Sequence, residues 1–207
     1  MPRPGVILDR DGTVIDFHRD TEHGVVTPAF HPKLVRFLPG AIDGLRALAS
    51  KGFVLAMATN QPGAAKGELP RDAIERTNAT VVERLAAEGV VLARVATCLH
   101  HPTGGDGGDP ALIRPCDCRK PSPGLLLDLI EKLDLDPARS WFIGDTPTDV
   151  QAAHRAGLKA ALVFRAGRCE ICPLRDGPAF ETAPDLAGSS LDEIAGRIAF
   201  VASAQAE

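Results

Sequence analysis

No stretch of the sequence approaches the ~20 consecutive apolar residues that a helix needs to cross a bilayer, which excludes a helical membrane protein. The amino-terminal segment MPRPGVILDR holds no apolar run of signal-peptide length, so a cytoplasmic protein is expected. A basic stripe is also missing. The 23 Lys and Arg residues are scattered and the formal net charge is −4, so nothing here would release counterions from a nucleic-acid backbone, and a small-molecule partner is expected instead. A disulfide framework is unlikely to be the use of five cysteines, an odd number without an export signal; metal binding or free thiols suit them better. Internal repeats and an evident domain boundary are absent too. The 207 residues fit one domain, 1–207, that buries about 70% of the surface its unfolded form would expose.

What is present is an alternation. Apolar runs GVIL, FVLAMA, VLARVA, WFI and KAALVF recur at intervals filled by helical patterns, which predicts an α/β fold: a doubly wound parallel sheet with helices on both faces. Ile42, Leu45 and Leu48 share one helical face, as do Ile74, Asn78, Val81 and Leu85, and then Leu126, Leu129, Ile130 and Leu133. Ser122 before Pro123 and Thr146 before Pro147 read as N-cap and first-turn pairs, and Gly157 as a left-handed cap. Leu191, Ile194 and Ile198 predict a last helix on the surface.

In such sheets ligands collect at the carboxyl ends of the strands. Asp9 and Asp11 close the first predicted strand, Thr59 the second, Cys98 and His100 the third and Asp145 the fourth. Taken singly, D-x-D-G is a turn and G-D-T an N-cap. Bringing Asp9, Asp11 and Asp145 together requires a cation, because neighbouring carboxylates resist simultaneous ionisation, and hard oxygen ligands point to Mg²⁺.

A second set of ligands lies in CLH…CDCRKP, where fifteen residues separate His100 from Cys116. Residues two apart on an extended segment project to one side, so Cys98 with His100, and Cys116 with Cys118, make two matched pairs. Three thiolates and one imidazole suit tetrahedral Zn²⁺ with no open position, the mark of a structural site that clips the loop at about 98–118. The glycines of GGDGGD at 104 to 109 let that loop turn.

The segments DRDGT, ATNQ, CRKP and GDTPTD together resemble the motifs of the haloacid dehalogenase (HAD) superfamily of phosphatases over nearly the full chain. The resemblance implies Asp9 as the nucleophile that takes the phosphoryl group, Asp11 as general acid and then general base, and Thr59 as a hydroxyl donor to a phosphoryl oxygen. It also implies Lys120 as the ammonium that offsets charge, and Asp145 as a magnesium ligand, with Asp11 contributing its backbone carbonyl. The Cys-x-His…Cys-x-Cys arrangement followed by Arg-Lys-Pro is similar to the heptose-bisphosphate and histidinol-phosphate phosphatase branch.

Within that branch, EHGVV at 22 to 26 and TNQPGAAKG at 59 to 67 resemble substrate-loop segments. This implies His23, Gly24, Asn60, Gln61, Lys66 and Arg119, with Lys120, as substrate-binding residues. Lys66 stands where the family segment usually carries arginine, so bidentate phosphate recognition is lost there. Phe17 to Thr21 read as a short insertion, and the remaining intervals leave no room for a separate cap domain. A monomer acting on a phosphorylated sugar, a heptose 1,7-bisphosphate before histidinol phosphate, is expected. A catalytically silent zinc-bearing interaction module and a thiol redox protein using Cys169 and Cys172 are the readings of other classes. Arg165 is the residue to watch near that C-x-x-C.

Overall fold

The computed structural model describes residues 2–164 and 182–204. Six parallel strands form its central sheet: β1 (Gly5–Leu8), β4 (Val54–Asn60), β5 (Arg94–Cys98), β6 (Trp141–Gly144), β7 (Lys159–Val163) and β8 (Leu186–Gly188). Their order across the sheet is β5-β4-β1-β6-β7-β8. From the central β1 the chain runs first to one side and then, after β5, crosses to the other. The crevice where the order reverses lies at the carboxyl ends of β1, β4 and β6, which is where such sheets bind ligands.

Period-2 alternation along the strands builds one core on each face. Val6 and Leu8 of β1, Leu55 and Met57 of β4, and Trp141 and Ile143 of β6 join one cluster. Ile7, Ala56, Ala58 and Phe142 join the other. Helices α1 (Ala41–Ser50), α2 (Arg71–Ala87) and α5 (Leu191–Ala204) cover the first face through Leu45, Leu48, Val81, Leu85, Leu191, Ile194 and Ile198. Helices α3 (Gly124–Lys132) and α4 (Pro147–Arg155) cover the second through Leu125, Leu126, Leu129, Val150, Ala152 and Ala153. Ile194 and Ile198 are fully buried, so each contributes about 1.5–3 kcal/mol by leaving water, and α5 is an integral layer with one apolar face inward.

Three local expectations change. The run VLARVA (91–96) does not become strand until Arg94: Val90, just before it, is held in the turn that ends α2, its N–H bonding Leu85 O at 2.9 Å, and Val91 is exposed. Ser122 does not cap α3: it closes a turn on Arg119 O at 2.9 Å, and the helix starts at Gly124, whose N–H bonds Asp117 O at 2.8 Å. The apparent insertion at 17–21 holds β2 (His18–Asp20), which pairs antiparallel with β3 (Val25–Thr27) as a small hairpin between β1 and α1. Among the described residues nothing larger stands there. Thr146 does cap α4, with Asp149 completing a reciprocal capping box, and Gly157 takes a φ of 76° after it.

Candidate active site

Five of the expected catalytic and metal-site residues, Asp9, Asp11, Thr59, Lys120 and Asp145, meet in one cavity at the switch point. Three of them are delivered by strand ends. Asp9 follows β1 and Asp145 follows β6, while Thr59 lies in the last turn of residues of β4. Gly12 makes the approach of the first loop possible: its φ is 80°, and a Cβ there would sit 2.1 Å from Asp145 Oδ2.

Lys120 is the electrostatic centre. Its Nζ lies 2.7 Å from both Asp9 Oδ1 and Asp149 Oδ1, with the side chain 3% exposed and the ammonium 5.0 Å from the Phe142 ring centroid. Burial alone would lower its pKa, but Asp149 and Asp9 outweigh that and raise it, so the lysine is held as a cation. Its backbone is fixed as well. Asn60 Nδ2 donates to Lys120 O at 3.1 Å while Lys120 N donates to Asn60 Oδ1 at 3.2 Å.

One ammonium does not balance the carboxylates around it. Burial pushes the Asp9 carboxyl from the usual 3.8 up to about 6; Lys120 opposes this rise and Asp149 adds to it. Asp145 is held well above the usual range by burial first, then by Asp149 and Asp9. Carboxylate oxygens of Asp9, Asp145 and Asp149 lie within 4.8 Å of one another, so these three could hold a metal ion.

The third carboxylate of that cluster is Asp149, where the sequence reading had Asp11. The Asp11 carboxylate lines the same cavity but faces Arg10, which is fully buried and donates from Nε at 3.0 Å and Nη2 at 3.1 Å. Gln61 Nε2 donates to Asp11 Oδ2 at 2.7 Å, and Ala29 N to Oδ1 at 3.3 Å. Arg10 is anchored in turn by Asn78 of α2 at 2.7 Å and by Ala29 O at 3.0 Å. Asp11 is therefore oriented by dedicated donors and stands outside the three-carboxylate cluster.

Asp149, the last residue of GDTPTD and four after Asp145, is a site residue that the sequence reading passes over. Its Oδ2 accepts from Thr146 N at 3.0 Å and Oγ1 at 2.6 Å, and its Oδ1 faces Lys120. A capping residue thus doubles as a site residue.

The expected substrate-binding residues divide. Both N–H groups of the Gln61 amide are spent, on Asp11 and on Thr59 Oγ1 at 2.9 Å, which leaves the Thr59 hydroxyl proton free to be donated. Asn60 clamps Lys120. Arg119 Nη1 reaches His100 O at 3.4 Å, Lys66 pairs with Glu68 at 3.2 Å, and neither lines the catalytic cavity. His23 and Gly24 lie in the exposed turn of the β2–β3 hairpin, where His23 Nδ1 meets Asp20 Oδ2 at 2.8 Å. The structure does not bring these two to the carboxylates. Arg165, Cys169 and Cys172 lie outside the described residues.

The second cluster assembles in full. One ligand atom from each of Cys98, His100, Cys116 and Cys118 lies within 4.8 Å of all the others, so the four could hold a metal. Sulfur separations are 3.2 Å (Cys98 to Cys118), 3.3 Å (Cys116 to Cys118) and 3.7 Å (Cys98 to Cys116). Burial, then the neighbouring Cys98 and Cys116, push the Cys118 thiol up, and burial does the same to Cys98. Three thiols this close ionise together only around a cation. The glycine-rich loop does more than turn: Asp109 N bonds Ala64 O at 3.0 Å, and a Cβ on Gly105 or Gly108 would meet Lys66 O at 2.5 Å or Ala65 O at 2.0 Å. Its glycines let two backbones touch.

Comparison with known proteins places these features in a family. The HAD-hydrolase-like family model matches residues 117–194. A Yersinia pestis protein named D-glycero-beta-D-manno-heptose-1,7-bisphosphate 7-phosphatase is 36% identical over 165 residues, covering 80% of this chain and 82% of that one. The Escherichia coli (strain K12) protein of the same name is 34% identical over 191 residues, covering 92% and 91%. Among solved structures, D,D-heptose 1,7-bisphosphate phosphatase from B. bronchiseptica, complexed with magnesium and phosphate, superposes with a TM-score of 0.71 at 28% identity and covers 94% of this chain and 97% of that one.

Proposed function

The chain belongs to the HAD hydrolase family of phosphatases, and from that premise we propose that it is a magnesium-dependent phosphomonoester hydrolase working through an aspartyl-phosphate, with heptose 1,7-bisphosphate as the substrate and the 7-phosphate as the group removed. The observation that carries the reading is the ammonium of Lys120, 2.7 Å from Asp9 in a cavity that also holds Asp11, Thr59 and Asp145.

Asp9 attacks phosphorus with one carboxylate oxygen, and the ester bond to the alcohol breaks as the Asp9–phosphorus bond forms. Asp11, aimed by Arg10 and Gln61, gives its proton to the departing alkoxide. A water then attacks the acyl phosphate, Asp11 takes that water's proton, and inorganic phosphate leaves with Asp9 restored. Dividing hydrolysis this way replaces one difficult displacement by two easier ones. The Thr59 hydroxyl donates to a phosphoryl oxygen, and Lys120 offsets the repulsion between carboxylate and phosphate.

The residues fit a magnesium ion, since carboxylate oxygens of Asp9, Asp145 and Asp149 lie within 4.8 Å of one another and the one ammonium among them pairs with Asp9 and Asp149 alone. Asp9 and Asp145 would hold it, with the backbone carbonyl of Asp11, while Asp149 is shared with Lys120 and its capping box. When bound, the ion would neutralise charge on the carboxylates and the phosphoryl group. The four-ligand clip fits zinc, because three thiols and one imidazole each offer a ligand atom within 4.8 Å of the others. Zn–S bonds of ~2.3 Å at tetrahedral angles imply S···S edges of about 3.8 Å, which the Cys98–Cys116 separation of 3.7 Å meets while the other two, at 3.2 and 3.3 Å, are tighter. Three thiols without disulfides, Cys98, Cys116 and Cys118, suit the reducing cytoplasm, and a monomer is part of the same proposal.

The test is Asp9→Asn assayed by phosphate release with magnesium, on heptose 1,7-bisphosphate and on histidinol phosphate. Turnover should vanish while the thermal melt stays cooperative, because a neutral amide is a poor nucleophile. Retention of most activity would refute the assignment, and a higher specificity constant for histidinol phosphate would change the substrate.

A further inference from the structure

A second cavity of about 480 Å³ adjoins the catalytic one between residues 26–30 and 61–69. The two share Pro28. Gln61 lines the larger cavity while its amide bonds Asp11 and Thr59, which line the smaller. An ester with phosphorus before Asp9 and its bridging oxygen at Asp11 can send its alcohol past Gln61 and Pro28 into this larger cavity.

The walls there are largely apolar, with Val26, Pro28, Phe30, Pro62 and Leu69 among them. The charged lining residues are Lys66 and Glu68, and they pair with each other, Nζ to Oε1, at 3.2 Å. The net charge offered to a ligand is therefore close to zero. A second anion on the alcohol would have to draw Lys66 away from Glu68, and a lysine meets it as a point charge without the bidentate fork of arginine.

We propose that this cavity holds the alcohol half of the substrate, a cyclic polyol with its C–H face on Phe30 and Pro62, and that Glu68 sets how strongly a second phosphate is held by competing for Lys66. This rests on the phosphatase reading above. Sugar rings carry an apolar face that suits such walls, with a few polar groups fixing orientation. Because the Lys66–Glu68 pair is partly exposed, the competition is worth a small factor, about threefold in affinity.

The experiment measures kcat and KM for heptose 1,7-bisphosphate and heptose 7-phosphate, with magnesium, on the wild type, Glu68→Gln, Lys66→Gln and Phe30→Ala. Glu68→Gln should raise the bisphosphate-to-monophosphate ratio of kcat/KM about threefold, through KM. Lys66→Gln should lower that ratio, and Phe30→Ala should raise KM for both esters with less effect on kcat. Lys66 and Glu68 are 38% and 58% exposed, so their substitutions leave the fold in place. A ratio equal in wild type, Glu68→Gln and Lys66→Gln overturns the role of Glu68, and unchanged KM values in Phe30→Ala overturn the cavity. Turnover of p-nitrophenyl phosphate but of neither heptose ester also overturns the proposal while leaving the phosphatase reading intact. No phosphate release from any of the three esters removes that reading itself.

Discussion

Replacing Lys120 by methionine isolates the charge at the centre of the site, because methionine fills a similar volume and its sulfur can take the place of the ammonium beside the Phe142 ring. The lysine faces Asp9 and Asp149 at 2.7 Å each, from a side chain 3% exposed. At an effective dielectric of ~20 each contact is worth about 6 kcal/mol of Coulomb attraction, most of it offset by the cost of burying the ions. Removing one partner of a buried pair leaves the other charge uncompensated, and about 3–5 kcal/mol of stability should be lost at neutral pH. The rate of phosphate release should fall about 10²–10³-fold, the range for deleting one donor that stabilises developing charge.

The sign of the pH dependence follows from Asp9. Its folded pKa, about 6, lies above the usual 3.8, so between those values the folded state binds more protons than the unfolded one. Stability is then greatest below the unfolded pKa and declines as pH climbs through the folded one. Without the ammonium that window extends upward for Asp9 and Asp145, so the deficit of Lys120→Met should be larger at pH 8 than at pH 5. Urea unfolding at both pH values, on metal-free protein, measures it. A deficit equal at the two, or below about 1 kcal/mol at pH 8, would refute the account of Lys120 as the compensating charge.

Magnesium should bind more weakly as pH falls below about 6, by up to about tenfold per unit, because Asp9 must give up its proton; titration calorimetry at pH 5, 6 and 7.5 reads this, and a flat affinity counts against Asp9 as a ligand. Gly12→Ala should cost at least about 1 kcal/mol for its positive φ and also weaken magnesium binding, since its Cβ would displace Asp145; a variant with unchanged affinity breaks that link. Stripping metal from the four-ligand clip should lower Tm and activity together, and full activity after elemental analysis finds no zinc would contradict its supporting role.

Residues at strand ends were readable because a long buried strand announces itself by composition, and the residue after it is then positioned by the sheet. Asp9, Thr59 and Asp145 are all of this kind. The hairpin and β8 were not readable: HRD, VVT and LAG are three residues each and all are partly exposed, so they carry no run long enough to register. Asp149 hid behind its own capping role. The partner of Asp11 was adjacent in sequence, yet a buried arginine is rare enough that only the fold reveals why Arg10 is there, with Asn78 waiting 68 positions away.

The placement of Lys120 joins the two metal-competent clusters into one device. Cys118 is two residues before it, and the carbonyl of Asp117, between the clip's Cys116 and Cys118, receives the first N–H of α3, at Gly124. On the other side Asn60, next to Thr59 on β4, holds both the N–H and the carbonyl of Lys120. The lysine backbone is thus pinned from the sheet and from the helix while the clip fixes the chain that enters it. An ammonium that must sit within hydrogen-bond reach of two carboxylates gains from having its chain ordered beforehand, since little entropy is then left to lose when substrate arrives. A loop of nineteen residues between Cys98 and Cys118 would otherwise carry that cost, and a metal held by the four ligands at its ends would remove it without touching the reacting atoms.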